Sequence, residues 1–213
     1  MNLASPPYLQ IALDLVDKDE FKRVLAEIPQ NDNILIEAGT PLIKKFGISI
    51  LETILRHHPN CYLIADLKTL DVGWLEVQIA AEEKAAAVVI SGLASLETIE
   101  SSLKEAVKQE VDIILDLINV KDPLILLKQL SRKPEIVLFH RGIDQEGGTE
   151  HPWKVIREVK TKYPKILVAV AGGLNLQTCS KALESNADII VIGRAITQAS
   201  DVRIAVNGFL ELL

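Results

Sequence analysis

The chain has 213 residues, 48% of them apolar, and a formal net charge of −6. That is enough apolar material for one large core, and we read 1–213 as a single domain. The acid excess and the lack of a basic stripe leave no footprint for nucleic acid, and no apolar run reaches the roughly 18 residues of a membrane span.

Apolar runs of strand type alternate with amphipathic stretches along the whole chain. The first strand is read over 8–14 and ends in Asp14; a helix over 17–28 follows, capped by Asp17. The second, 33–38, ends in Glu37-Ala38-Gly39-Thr40, and one helix is expected over 40–57. The third, 61–66, opens into Asp66-Leu67-Lys68-Thr69-Leu70-Asp71 before a helix over 72–84. Next come a strand over 86–91, ending in Ser91-Gly92, and a helix over 95–109 capped by Ser95. The strand over 111–116 ends in Asp116, with Asn119 beyond it and a helix over 122–131 capped by Asp122. The sixth strand, 135–139, runs into His140-Arg141-Gly142 ahead of a helix over 152–162. The seventh, 165–170, gives Ala171-Gly172-Gly173 and a helix over 175–184 capped by Asn175. The last, 188–192, gives Gly193-Arg194, with a final helix near 200–212.

Continuously apolar strands such as Val88-Val89-Ile90 and Ile189-Ile190-Val191-Ile192 suit parallel strands covered on both faces. Eight strand–helix units predict an α/β fold of the (β/α)8 TIM-barrel type. A doubly wound open sheet is the competitor, but it usually carries a glycine-rich first turn, and Asp14-Leu15-Val16-Asp17 has no glycine.

In such a barrel the C-terminal strand ends hold the active site. Nearly every one here carries an ionisable side chain or glycine, whereas the opposite ends (Tyr8, Asn33, Lys165) look ordinary. Alternation along a strand turns Asp66 and Lys68 the same way. Glu37 and Asp66 could share one hard cation; alternatively Glu37 pairs with Lys68 as an internal ion pair, and spacing does not decide between them. His140 fits a general acid or base, or a hydrogen-bonded structural histidine. His57, His58 and His151 are read as surface residues. Gly172-Gly173, the helix start at Asn175, Gly193 and Arg194 together suit a phosphate group. The stretch 142–151 is read as a mobile lid, with Asp144 and Glu146 in solvated loop.

The motifs Leu9-Gln10-Ile11-Ala12-Leu13-Asp14, Glu37-Ala38-Gly39-Thr40-Pro41, Asp66-Leu67-Lys68-Thr69-Leu70-Asp71, His140-Arg141-Gly142-Ile143-Asp144, Ala169-Val170-Ala171-Gly172-Gly173 and Ile192-Gly193-Arg194 span the chain in order. This set resembles the orotidine 5′-phosphate decarboxylase suprafamily, with its D-x-K-x-x-D after strand 3, and within it the 3-hexulose-6-phosphate synthases. The closest likeness is to the archaeal synthase domain fused behind a formaldehyde-activating domain. No such upstream domain stands in these residues, so the expectation is a free-standing synthase or a part of a longer chain.

The resemblance implies an aldol reaction of formaldehyde with ribulose 5-phosphate that depends on Mg²⁺, with Mn²⁺ as the other metal considered. Glu37 and Asp66 are the implied metal ligands, Lys68 the electrostatic stabiliser of an enediolate, and His140 the proton carrier. Asp14 and Asp116 are implied to contact the substrate, and Gly172, Gly173, Gly193 and Arg194 its phosphate. Asp71 is implied to reach into the partner's site across a homodimer. Glu37 and Val72-Gly73 depart from the orotidylate decarboxylases, which have lysine at the end of strand 2 and usually Ile-Pro-Asn after the motif. Ile143, Asp116 and Ala171 depart from the 3-keto-L-gulonate-6-phosphate decarboxylases, which carry arginine, glutamate and threonine there. That decarboxylase is the alternative enzyme, and a non-catalytic phosphosugar-binding barrel the alternative of another class. Two widely separated cysteines, Cys61 and Cys179, read as small core residues, and together with the absence of a signal peptide they lead us to expect a soluble cytoplasmic protein.

Overall fold

The computed structural model describes residues 3, 5–145 and 150–213. Eight parallel strands close into one barrel in sequence order. They are β1 (Tyr8–Leu13), β2 (Ile34–Ala38), β3 (Tyr62–Thr69), β4 (Ala87–Ser91), β5 (Asp112–Asp116), β6 (Ile136–His140), β7 (Leu167–Ala171) and β8 (Ile189–Ile192). Around them lie α1 (Lys18–Glu27), α2 (Thr40–Phe46), α3 (Ile50–His57), α4 (Gly73–Glu82), α5 (Leu96–Gln109), α6 (Pro123–Gln129), α7 (Trp153–Lys162), α8 (Leu176–Glu184), α9 (Arg194–Thr197) and α10 (Val202–Leu210). The predicted TIM barrel is what forms. Among the described residues, no helix is long and apolar enough to cross a membrane.

Strand alternation divides the core in two. Leu35, Tyr62, Ile64, Val89, Ile114, Ile136, Leu138, Ala169, Ile189 and Val191 pack together as a cluster of strand residues inside the barrel. Their neighbours of opposite parity, such as Leu63, Val88, Ile113, Val137, Val168 and Ile190, pack outward against helix residues such as Leu51, Val77, Leu103 and Ile156. Residues two positions beyond an inward residue face inward too. Glu37, Asp66, Asp116, His140 and Gly193 therefore sit at the upper rim of the barrel interior, each two positions above one of those inward residues. The strands place the site; the helices fix the strands.

Helix caps follow the sequence reading: Asp17, Ser95, Asp122 and Asn175 each accept from backbone N–H groups of the following turn. Three elements differ from it, one being the short α9, which precedes the helix expected near 200–212. The helix expected over 40–57 is two, α2 and α3, because Gly47 adopts φ 81 while its N–H donates to the Ile43 carbonyl (2.8 Å). That conformation suits glycine and ends the helix. The third strand runs past Asp66 to Thr69, and its pairing with β4 shifts: Ala65 partners Val88, yet Thr69 partners Ile90. The excess residues form a bulge in which Lys68 takes φ 47.

Candidate active site at the C-terminal barrel mouth

Asp116 is the hub. It is fully buried, its Oδ1 accepts from Ile118 N (2.8 Å), and its Oδ2 accepts from both Lys68 Nζ (2.8 Å) and His140 Nδ1 (2.9 Å). Lys68 Nζ also lies 3.0 Å from Asp66 Oδ2. The bulge in β3 brings the ammonium there, so Lys68 and Asp66 converge as expected, but through a left-handed residue and not through simple alternation. Thr40 Oγ1 donates to the same Asp66 oxygen (2.8 Å).

Glu37 is not the partner of Lys68. Its Oε2 accepts from Gln10 Nε2 at 2.6 Å, deep in the barrel. Burial raises the Glu37 carboxyl well above its usual range, and the charges of Asp66 and Asp14 add to that. Asp14 is raised as well, by loss of solvent at the barrel mouth and by the Asp66 charge. Lys68 goes the other way from an ordinary buried amine: burial opposes its charge, but Asp66 and Asp116 outweigh burial and push its pKa up. Burial would likewise raise Asp116, yet the hydrogen bond from His140 and the Lys68 charge hold its carboxyl below the usual range.

This last shift predicts a pH effect. A depressed carboxyl means that the unfolded chain takes up the proton first on acidification. The stability from ionised Asp116 is then complete above the ordinary carboxylate range and is lost as pH falls through the lower native value. Asp116→Asn is expected to flatten the fall in stability as the pH drops through and below the ordinary carboxylate range. Urea unfolding at a series of pH values checks it; an unchanged slope contradicts the ion-pair hub. Glu37 and Asp14 act in the opposite sense, since a raised carboxyl costs stability as pH rises through its native value.

The residues fit a hard dication. Among the described residues, Asp66 Oδ1 is buried with no hydrogen-bond partner, although its sister oxygen has two donors. Three carboxylates, Asp14, Glu37 and Asp66, repel one another around this point. Among the described residues, no group of three or more His, Cys, Asp or Glu is arranged to hold a metal ion. Glu37 and Asp66 would supply two carboxylates, a donor pair that suits an ion that keeps several waters, as Mg²⁺ does.

At the β7 and β8 ends, Gly172 (φ 102) and Gly173 (φ 64) form a turn against β6. A Cβ on Gly172 would sit 1.9 Å from the Arg141 carbonyl oxygen. Gly172→Ala is expected to cost about 3 kcal/mol, through positive φ and backbone collision together. A denaturant midpoint equal to that of the unmutated protein would contradict this. The N–H groups of Gln177 and Thr178 donate to Asn175 Oδ1 inside a capping box, so these two amides of α8 are already engaged. Arg194 is exposed and opens α9 next to Gly193.

Asp71 stands outside this cluster. It is exposed, and its Oδ1 accepts from Val72 N (2.8 Å). Large exposed apolar side chains surround it in sequence: Leu70, Val72, Trp74 and Leu75, with Leu93 and Leu96 on the next strand–helix unit.

Two histidines are not surface residues. His58 is buried between the Leu25 carbonyl (3.0 Å) and Gln30 (2.9 Å). His151 is buried with Nε2 2.9 Å from the Gly172 carbonyl oxygen, and burial lowers its pKa. His57 is exposed, as expected. Cys179 is buried and Cys61 half-buried, and burial pushes both thiols up to about 11. The lid expected over 142–151 lies partly outside the described residues, Glu146 included. A cavity of about 850 Å³ opens at the opposite barrel mouth, lined by Tyr8, Asn33, His58 and Tyr62 among others. None of the ion pairs among the described residues lies within that lining, so cavity size does not locate the chemistry.

A model of the orotidine 5′-phosphate decarboxylase / HUMPS family matches residues 7–209. The bifunctional enzyme Fae/Hps of Methanothrix thermoacetophila is 51% identical over 213 residues, covering 100% of this chain and 54% of that protein. The bifunctional enzyme Fae/Hps of Methanoculleus marisnigri is 49% identical over 212 residues, covering 99% and 54%. The chain thus spans about half the length of the curated relatives it matches. A solved 3-hexulose-6-phosphate synthase from Salmonella typhimurium superposes with a TM-score of 0.89 at 26% identity, covering 97% of this chain and 98% of that one. A KGPDC structure from Streptococcus mutans shares the fold, with a TM-score of 0.83 at 22% identity and 96% of each chain covered. With the family pattern matched from β1 to α10, the chain belongs to the orotidine 5′-phosphate decarboxylase / HUMPS family.

Proposed function

We propose that this chain is an aldehyde-lyase that joins formaldehyde to ribulose 5-phosphate, giving 3-hexulose 6-phosphate, and that it catalyses the reverse cleavage. One observation carries the reading: a lysine and a histidine share a single fully buried carboxylate oxygen, beside a carboxylate with an oxygen that is unpartnered among the described residues. The names of the relatives and of the synthase structure support it, as do Asp116, Ile143 and Ala171, which differ from the keto-gulonate phosphate decarboxylase pattern.

Asp116 accepts from His140 Nδ1–H, which fixes the tautomer and leaves Nε2 as the basic nitrogen. His140 takes a proton from C1 of the ketose, and the electron pair moves toward the carbonyl oxygen, giving an enediolate. The Lys68 ammonium, held by Asp66 and Asp116, stabilises the negative charge as it develops. A hard dication held by Glu37 and Asp66, Mg²⁺ or equally Mn²⁺, would supply further positive charge to the substrate oxygens. C1 then attacks formaldehyde; the new carbon–carbon bond forms, and the former aldehyde oxygen takes the proton back from His140. Asp14 binds sugar hydroxyls, and Gly172, Gly173, Gly193 and Arg194 hold the phosphate. The exposed apolar side chains around Asp71 are those a second copy would cover, which supports a homodimer with shared sites.

Exchange of the C1 proton tests the first half-reaction without formaldehyde. In D₂O with Mg²⁺, ribulose 5-phosphate is expected to lose its C1 proton signal, and a chelator is expected to stop the loss. Exchange that continues undiminished under chelation would remove the metal from the reading.

A further inference from the structure

The mechanism leaves Gln10 without a role, although it occupies an improbable place. It lies at an inward position of β1, between inward Tyr8 and Ala12, and is 1% exposed. Its register partners are Leu35 on β2 and Val191 on β8, both apolar. The Gln10 Nε2 donates to Glu37 Oε2 at 2.6 Å, while the Gln10 Oε1 is buried with no hydrogen-bond partner among the described residues. A methionine or leucine would fill this volume without an unmade acceptor. Packing therefore gives no reason for the amide, whereas its donor does.

We propose that Gln10 is a positioning residue for Glu37 and, through it, sets how tightly the site holds its dication. The proposal rests on the assignment of Glu37 and Asp66 as the metal-holding pair. One N–H on Oε2 fixes the rotation of the Glu37 carboxylate and leaves Oε1 as the oxygen available to an ion. The donor is neutral, so it orients the carboxylate without competing for its charge as a buried lysine would. Hydrogen bonds of this kind behind a metal-holding side chain are commonly worth 10- to 100-fold in metal affinity.

The test is Mg²⁺ titration of the chelator-stripped protein by calorimetry, with no substrate present. Gln10→Met is expected to bind Mg²⁺ roughly 10- to 100-fold more weakly while remaining folded in the metal-free state. A merely structural glutamine would leave the affinity unchanged whatever the melting temperature, which overturns the proposal. Glu37→Ala separates the two levels. If Glu37→Ala loses Mg²⁺ and Gln10→Met keeps full affinity, the role of Gln10 fails and the metal site stands. If Glu37→Ala keeps full affinity, the metal-site assignment fails and takes the proposal with it. Should Gln10→Met not fold, Gln10→Leu replaces it. Should neither fold, ¹⁵N-glutamine labelling of the unmutated protein decides. A saturable Mg²⁺-dependent shift of one slowly exchanging side-chain amide supports the proposal, and its absence overturns it.

Discussion

Lys68→Ala is expected to lower kcat by about 10³-fold or more, the scale of losing a preorganised charge at a developing oxyanion. Two buried carboxylates hold the ammonium, at 3.0 Å from Asp66 and 2.8 Å from Asp116. It is therefore in place before substrate arrives, and little reorganisation is needed as charge develops. Its removal also leaves Asp116 buried with one fewer donor. We expect a stability loss of about 2 kcal/mol, below that of a fully enclosed pair because Lys68 keeps some solvent contact. Circular dichroism with urea unfolding separates the two effects. A folded Lys68→Ala protein that turns over within tenfold of the unmutated rate would remove Lys68 from the chemistry.

His140→Ala is expected to cost about 10²- to 10⁴-fold in turnover, the usual contribution of a positioned acid–base group. Asp116 keeps its bonds to Lys68 and Ile118, so the stability change is expected near 1 kcal/mol. Mg²⁺ affinity should stay close to that of the unmutated protein, because His140 lies on the Asp116 side of Lys68 and not among the carboxylates assigned to the ion. Loss of C1 exchange together with unchanged metal binding is the signature of a proton carrier. Persistent exchange in His140→Ala would assign the proton transfer to another group.

Much of this site was legible in the sequence because barrel geometry converts strand ends into neighbours. Asp14, Glu37, Asp66, Asp116 and His140 are separated by as many as 126 positions, yet each closes a run of apolar residues, and parallel strands bring all such ends to one rim. What remained hidden depends on tertiary partners. Nothing in Asp66-Leu67-Lys68 announces that β3 bulges and that Lys68 takes φ 47; the shifted register with β4 decides that. His58 and His151 look like surface residues because their partners, the Leu25 and Gly172 carbonyls, lie 33 and 21 positions away. Gln10 did leave a signal: it is the one polar side chain within Tyr8–Leu13 that takes an inward position without a ring to bury. Gly47 offered another, a glycine inside a helical pattern.

If the cluster at the C-terminal mouth builds a carbon–carbon bond to formaldehyde, the purified protein must consume that aldehyde. The decisive assay supplies ribulose 5-phosphate and Mg²⁺ and follows formaldehyde with and without chelator. We expect consumption that requires both the sugar phosphate and the metal, and a hexulose phosphate product in equal amount. No consumption, with carbon dioxide released from 3-keto-L-gulonate 6-phosphate, would assign the site to decarboxylation. Inactivity in both assays, with sugar phosphate still bound, would overturn the enzyme reading itself.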